Sequence, residues 1–351
     1  MTWLRRFGAG VVLLVAIIAA AWVLFPRPIS EALFRIGLSL VPLPTEARPE
    51  GIEVYLCGTG SPLTDPTRSG PCLGIVAGGQ AYVIDPGEGS ARRLFEMGFP
   101  TGAMEAIIIT HNHSDHIDGL GNILVQAWIV GSRTEPLPIY GPEGVERVVA
   151  GVNEMFAIDA TFRTAHHSEA IAAPSGYGAE ARVIAFDEYP LNVSQVLAND
   201  NVSILATLVS HAPVHTAMGL RIDHAGRAVS FSGDTLYDEN FVKLSEGVDL
   251  MIHDAMQHRM VKLLEDRARG MPNGAVAAKV LYDIVDYHAS PEDAARAAQD
   301  AGAQALVLTH IAPPLPSRLF YPAFLGGAPE VFDGPITIGE DGMLFTFEPA
   351  E

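Results

Sequence analysis

The sequence predicts an α/β domain built in layers and preceded by an N-terminal transmembrane helix. From Glu53 onward, short apolar or β-branched runs alternate with amphipathic helical patterns, which is typical of layered α/β domains. Ahead of them, one long run from Phe7 to Phe25 is apolar and carries no charge. Histidine and aspartate follow several of the predicted strands, so a functional site is expected at the edge where those strands end.

Composition limits the kinds of site and partner. The 351 residues are 48% hydrophobic, which indicates a globular protein. The formal net charge is −19, so a long polyanion would be repelled unless the surface carries a local basic patch. Two cysteines, Cys57 and Cys72, are too few for a disulfide framework or a cysteine-rich metal site, and whether they pair stays open. A metal site would have to use carboxylates and the 12 histidines.

The N-terminal apolar run is about long enough to cross a bilayer core. Arg5 and Arg6 precede it, which favours an orientation with the bulk of the chain outside, although Arg27 and Arg35 reduce the asymmetry. We therefore expect a single-pass anchor in a bacterial inner membrane and a periplasmic domain. The alanines at 19–21 also permit a cleaved signal, with secretion as the alternative.

The chain divides into three predicted segments. Residues 1–28 are the anchor or signal, residues 29–50 an amphipathic stretch with a proline-rich linker, and residues 51–351 the folded domain. Within the domain, residues 151–200 contain Pro174 and two nearby glycines, and are expected to form an irregular excursion over the functional site.

Three helices and six strands are predicted within the domain. The clearest helix is Pro291–Ala301, because Ser290 suits the N-cap, proline suits the first helical position, and Gly302 can end the helix. Further helices are expected near Gln257–Arg269 and Ala275–Tyr287. The predicted strands are Ala81–Asp85, Ala106–Thr110, Ser203–Ser210, Ala228–Ser232, Asp249–His253 and Ala305–Thr309.

A dense histidine motif follows the second of these strands. His111, His113, Asp115 and His116 fall within six residues, and Gly119 suggests that a helix begins just afterwards. A strand-to-helix turn presents side chains at several angles around a small volume, whereas ligands on one helix face need spacings of three or four. Four such residues can serve two metal ions. A solvated histidine-rich loop is the alternative.

Three further candidate ligands each end a predicted strand: His211, Asp234 and His310. All three would project from one edge of the sheets, toward the histidine motif. Imidazole and carboxylate are ligands that zinc accepts, so the seven residues together predict a binuclear metal site. Among the other histidines, His166 and His167 are more simply explained as surface residues, and His215 is either a substrate contact or a polar residue on a turn.

These motifs resemble those of the metallo-β-lactamase superfamily, and within it the ribonuclease Z and arylsulfatase-like branch. The resemblance covers nearly all of residues 51–315 and includes Cys57–Pro62, Ile84–Gly89, Ser232–Thr235 and Leu308–His310. It implies an αββα four-layer sandwich with two zinc ions at its rim.

The resemblance also implies a role for each candidate ligand. Asp234 would bridge the two ions. The remaining ligands would form one set for each ion: His111, His113 and His211, and Asp115, His116 and His310. Asp85 resembles the family's carboxylate that orients metal ligands, although an aspartate before Pro86 and Gly87 also suits a turn.

A second cluster resembles the proton relay of ribonuclease Z. His253–Met256 stands where that family has His-Glu-Ala-Thr, and His288–Ser290 where it has His-Ser-Thr. His288 would donate a proton while Asp254, one methylene shorter than the family's glutamate, would orient its imidazole. A histidine favoured by a helix dipole is the alternative for His288. The expected catalytic residues are therefore Asp115, His288 and Asp254.

The resemblance implies a metal-dependent hydrolase of ester bonds. A water between two zinc ions ionises near neutral pH, so we expect a phosphodiesterase or an aryl sulfate or ester hydrolase. A transfer-RNA 3′-processing endoribonuclease and a lactonase are alternatives, and a non-catalytic binding protein is a further one.

The partners expected from the sequence are a small-molecule ester and the inner membrane, and a homodimer is compatible with it. Nucleic acid is not favoured, because the chain is strongly acidic and residues 151–200 contain only Arg163 and Arg182 as basic residues. A periplasmic domain would also be separated from transfer RNA.

Overall fold

The computed structural model describes residues 20–40, 50–186, 193–199 and 201–350. The chain forms two compact units, residues 1–48 and residues 49–351. In the first unit, residues Pro26–Leu40 form helix α1, which overlaps the predicted amphipathic stretch, and none of its residues is buried.

The N-terminal transmembrane helix is not supported. Most of the apolar run Phe7–Phe25 lies outside the described residues. Among the residues that are described, no helix combines the length and the apolar character needed to cross a bilayer. Helix α1 has 15 residues, which at about 1.5 Å per residue is shorter than a hydrocarbon core of about 30 Å.

The second unit contains two seven-stranded sheets. In sheet one the strand order is β14-β1-β2-β3-β4-β5-β6, and in sheet two it is β13-β12-β11-β10-β9-β8-β7. The strands are β1 (Ile52–Gly58), β2 (Cys72–Ala77), β3 (Gln80–Ile84), β4 (Met104–Ile108), β5 (Leu137–Gly141), β6 (Ala179–Val183), β7 (Val193–Ala198), β8 (Ser203–Leu208), β9 (Met218–His224), β10 (Arg227–Phe231), β11 (Leu250–Met256), β12 (Leu306–Ala312), β13 (Ile336–Ile338) and β14 (Leu344–Phe347).

Helices cover the outer faces of both sheets. The helices that follow α1 are α2 (Ser90–Glu96), α3 (Ser114–Ile117), α4 (Leu120–Gly131), α5 (Val145–His167), α6 (Glu239–Leu244), α7 (His258–Arg269), α8 (Ala275–Asp283), α9 (Pro291–Ala301) and α10 (Tyr321–Leu325). One apolar core lies between the sheets, where Ile75 and Ile84 of sheet one join the same cluster as Leu220 and Ile252 of sheet two. Two further cores lie beneath the helices on either side. The layers therefore stack helix, sheet, sheet, helix, as expected.

Strand direction places the ends of the functional strands together. Strands β3 to β6 of sheet one are parallel, and so are β10 to β13 of sheet two. Strand β8 runs in the same direction as β10, because both are antiparallel to β9. The carboxyl ends of β8, β10, β11 and β12 therefore meet at one edge of sheet two, which is where ligands bind in such sheets.

Much of the described part of residues 151–200 is regular helix and strand, in contrast to the irregular structure predicted for it. Helix α5 continues to His167, and the following strands, β6 and β7, form the outer edges of sheet one and sheet two. The helix pattern is hard to read because Met155, Ile158 and Phe162 are exposed, while few residues on the opposite face are buried. An amphipathic helix is recognised by an apolar stripe that faces the core, and here the larger apolar side chains face solvent.

The two cysteines, left open by the sequence, form a disulfide. Cys57 at the end of β1 and Cys72 at the start of β2 are bonded, and both are buried in the core beneath the helices of sheet one. The bond joins two neighbouring antiparallel strands and closes the loop between them.

Helix α9 begins with a complete capping box. Ser290 Oγ accepts a hydrogen bond from Asp293 N at 3.0 Å, and the Asp293 carboxylate accepts one in return from Ser290 N at 3.4 Å. We expect Ser290→Ala to lower the free energy of unfolding by about 1 kcal/mol in urea denaturation. Ser290→Thr, which keeps the hydroxyl that contacts Asp293, should retain most of that stability. A Ser290→Ala protein as stable as the wild type would show that the cap does not stabilise the helix.

Candidate metal centre

The histidine motif forms the turn from β4 into α3. His111 and His113 lie on the extended segment after β4, and Asp115 and His116 lie within the single turn of α3. Gly87 permits this turn, because a Cβ on residue 87 would overlap the backbone oxygen of Asp115. The strand-to-helix turn predicted from the sequence is therefore present.

Sheet two supplies the other three candidate ligands at the carboxyl ends of its strands. His211 follows β8 and Asp234 follows β10. His310 was predicted to follow its strand, but β12 continues to Ala312. Its backbone has a positive φ of 50°, which is uncommon for a residue with a side chain and interrupts the regular alternation of the strand.

The seven side chains gather in two adjoining clusters. Potential ligand atoms of His111, His113, His211 and Asp234 all lie within 4.8 Å of one another, as do those of Asp115, His116 and His310. A third group at the same separation joins Asp234 and His310 to His288. Asp234 Oδ2 connects the clusters, at 3.7 Å from His111 Nε2, 3.2 Å from His116 Nε2 and 3.4 Å from His310 Nε2. A carboxylate at that position can contact ions in both clusters.

Ligands must be deprotonated to bind a metal, and burial favours the neutral form at three of the histidines, whereas the pKa of His116 and that of His310 are raised because nearby carboxylates outweigh burial. Burial, together with the charge of His116, holds the pKa of His111 well below its ordinary value. Burial also lowers the pKa of His113 and of His211. For Asp234, burial acts in the opposite direction, but His310 and His116 outweigh it and hold the carboxyl pKa well below its usual range.

Asp85 orients His116 from the side away from the cluster. It is fully buried, and its Oδ2 lies 2.9 Å from His116 Nδ1. The same carboxylate accepts hydrogen bonds from the backbone and hydroxyl of Thr110. A proton on His116 Nδ1 leaves Nε2 free to face Asp234. The residue also has a positive φ, so it occupies a turn as well.

The second predicted cluster is also assembled. Asp254 Oδ2 lies 3.0 Å from His288 Nδ1, and Asp254 Oδ1 lies 3.1 Å from His253 Nδ1. Aspartate therefore reaches the imidazole despite its shorter side chain. Burial tends to raise the pKa of Asp254, but hydrogen bonds from His253 and His288 lower it, so the carboxyl remains ionised.

The position of His288 links this cluster to the candidate ligands. Its ring stacks on that of His310 with 5.0 Å between centroids, and it approaches His211 at 5.3 Å. Helix α8 ends at Asp283 and α9 begins at Pro291, so His288 precedes a helix rather than ending one. A helix N-terminus disfavours imidazolium, so the helix-dipole explanation does not apply.

Tyr287 is a site residue that the sequence analysis did not identify. Its backbone oxygen lies 2.9 Å from His211 Nδ1, which leaves His211 Nε2 for the cluster. Its ring meets that of His211 nearly at right angles, with 5.0 Å between centroids. Burial, followed by the charges of Asp234, Asp286 and Asp115, raises the pKa of the hydroxyl. In the sequence, the only indication that Tyr287 belongs to the site is its position next to His288.

The discounted histidines stay outside the site as far as the described residues show. His166 and His167 are exposed at the end of α5, and His215 is exposed in the loop after His211. None of the three belongs to a cluster of potential metal ligands among the described residues.

Comparison with known proteins identifies similar sequences and folds. A family model described as a beta-lactamase superfamily domain matches residues 81–311. Ribonuclease Z of Mycolicibacterium gilvum (strain PYR-GCK) is 34% identical over 271 residues, which cover 75% of this chain and 85% of that protein. Ribonuclease Z of Mycobacterium avium (strain 104) is 34% identical over 266 residues, with 75% and 87% covered.

Solved structures show the same fold at lower identity. The metallo-beta-lactamase fold protein YhfI from Bacillus subtilis has a TM-score of 0.58 at 23% identity, covering 85% of this chain and 99% of that one. The short form of human tRNase Z has a TM-score of 0.56 at 23% identity, with 84% and 98% covered.

These relatives correct two expectations. The predicted choice of a small-molecule ester over nucleic acid is wrong, because the relatives that match three quarters of the chain are ribonuclease Z. The net charge is a poor guide to the substrate because it is a sum over the whole chain, whereas a substrate interacts with the local electrostatic potential at the site. The same relatives contradict a periplasmic domain on a single-pass inner-membrane anchor, an expectation that depended on the apolar N-terminal run and the two arginines before it.

Proposed function

The chain belongs to the metallo-β-lactamase superfamily, in its ribonuclease Z-like branch, and from that premise we propose that it is a two-zinc phosphodiesterase that cleaves RNA, as a transfer-RNA 3′-processing endoribonuclease does. Its relatives are metal-dependent hydrolases of ester bonds, and their identity favours RNA over aryl sulfates as the substrate. The observation that carries the proposal is the placement of Asp234 between two ligand clusters beside an imidazole–carboxylate pair.

The donor set fits zinc. Imidazoles and carboxylates are ordinary zinc ligands. We assign His111, His113 and His211 to one ion, Asp115, His116 and His310 to the other, and Asp234 to both. When bound, zinc supplies an activated water and a positive charge that the phosphoryl oxygens contact. That charge also attracts a polyanion locally, despite the acidic chain.

The side chains around the ions have separable roles. Asp85 and the backbone oxygen of Tyr287 fix the ring orientation of His116 and His211. His288 donates a proton to the oxygen that leaves phosphorus, and Asp254 orients its imidazole through Nδ1. The Nε2 atom of His288 then carries the donated proton, since Nδ1 is engaged by the carboxylate.

A panel assay tests the function. The purified full chain, loaded with zinc, should cleave precursor transfer RNA with a 3′ trailer at one position, with higher kcat/KM than it shows for 4-nitrophenyl sulfate or a lactone. Cleavage should stop after treatment with a chelator and return when zinc is added. A higher efficiency on the sulfate or the lactone, or uncut transfer RNA beside active hydrolysis of bis(4-nitrophenyl) phosphate, would overturn the assignment to RNA.

A further inference from the structure

Tyr287 is held in place from two sides at the centre of the site. Its ring packs against His211 at 5.0 Å and against His288 at 4.7 Å between centroids. It therefore contacts a proposed zinc ligand and the proposed proton donor at the same time. A ring fixed in this way loses little conformational entropy when its hydroxyl forms a hydrogen bond to a ligand, so the hydroxyl is pre-organised for binding.

The hydroxyl of Tyr287 is available for such a contact. The side chain is only partly buried, and within the described residues its hydroxyl makes no hydrogen bond. The ring that carries this hydroxyl lies against His211 and His288, which places the side chain beside the ligand clusters. A phenol is protonated near neutral pH and can donate one hydrogen bond.

We propose that the Tyr287 hydroxyl donates a hydrogen bond to a non-bridging phosphoryl oxygen of the scissile diester. Two groups of residues bound the space in which the reacting phosphorus must lie. The zinc ligands define one boundary, and His288, which must reach the leaving oxygen, defines another. Tyr287 contacts a residue of each group, so a phosphoryl group held between them lies beside its ring. The proposal rests on the phosphodiesterase function proposed above, and not on the choice of RNA.

Tyr287→Phe isolates the hydroxyl from the other contributions of the residue. His211 is oriented by the backbone oxygen of Tyr287, which every substitution retains. Phenylalanine also keeps the ring that packs on His211 and His288. Tyr282→Phe is a matched control, because Tyr282 is an exposed tyrosine on helix α8 that belongs to neither cluster.

The experiment measures phosphate binding and turnover in the zinc-loaded full chain. By calorimetry, Tyr287→Phe should bind inorganic phosphate roughly 10-fold more weakly, because a hydrogen bond to a charged group is lost. Its kcat/KM for bis(4-nitrophenyl) phosphate should fall by roughly 10- to 100-fold for the same reason. Zinc content should be unchanged, and Tyr282→Phe should match the wild type in every measurement.

Each outcome has a defined meaning. Wild-type phosphate affinity and turnover in Tyr287→Phe would overturn the proposal and leave Tyr287 as a packing residue. So would a loss of turnover accompanied by a loss of zinc, because the effect would then pass through His211. Neither readout involves RNA, so a wild-type enzyme that leaves transfer RNA intact would refute the proposed substrate without deciding the role of Tyr287.

Discussion

Replacing Asp234 by alanine should abolish hydrolysis and remove both metal ions. The carboxylate oxygen of Asp234 lies within 4 Å of ring nitrogens from both clusters, so its loss leaves each cluster without a shared ligand. Metal ions contribute several kcal/mol to stabilising the transition state of such reactions. We expect kcat/KM to fall by about 10³-fold or more. Elemental analysis should show zinc falling from about two equivalents to less than one.

Two matched variants define the specificity of that effect. Asp118→Ala removes a carboxylate two residues after the histidine motif that belongs to no ligand cluster among the described residues, and zinc content should be retained. His310→Ala removes a ligand of one cluster only, so about one zinc equivalent should remain. An Asp234→Ala protein that keeps two zinc ions and its activity would refute the bridging role.

Replacing His288 by alanine should impair substrates according to their leaving group. An alkoxide leaves poorly unless it is protonated, so general-acid help contributes about 10²- to 10⁴-fold for RNA or an alkyl phosphodiester. A nitrophenolate departs without that help. His288→Ala should therefore lose most of its activity on RNA and little on bis(4-nitrophenyl) phosphate, when rates are measured beside zinc content.

The partner of His288 gives the matching test. Asp254→Asn keeps the side-chain volume but removes the charge that accepts from His288 Nδ1, so it should show the same leaving-group pattern more mildly. Asp254→Glu is expected to be harmful, because Asp254 is fully buried and its carboxylate already contacts His288. If His288→Ala with two zinc ions loses the same factor on both substrates, His288 does not donate the proton.

The ligands could be predicted because their signal is local. His211 and Asp234 follow buried strands of the predicted kind, and strand ends that share an edge bring such residues together. The six predicted strands are all present, with ends shifted by a few residues. The continuation of β12 past His310 could not be predicted, because a positive φ within a strand leaves no pattern in the sequence.

Other features could not be predicted because they depend on distances between elements. Whether Asp254 reaches His288 depends on the separation of β11 from the segment before α9, which side-chain length alone does not give. The sequence predicts Tyr287 as the last residue of a helix, and no sequence pattern indicates that its ring packs on His211. Helix α5 was missed because its large apolar side chains face solvent.

The seven candidate ligands come from both halves of the sandwich. Four follow β4 of sheet one, two follow strands of sheet two, and His310 lies within β12 of sheet two. If only one sheet were formed, at most four of the ligands would be brought together. Tight zinc binding therefore requires the two sheets to pack against each other as they do in the native fold. Zinc affinity should therefore report the quality of folding. A substitution such as Ile252→Ala, in the core between the sheets, should weaken zinc binding although residue 252 is not a ligand.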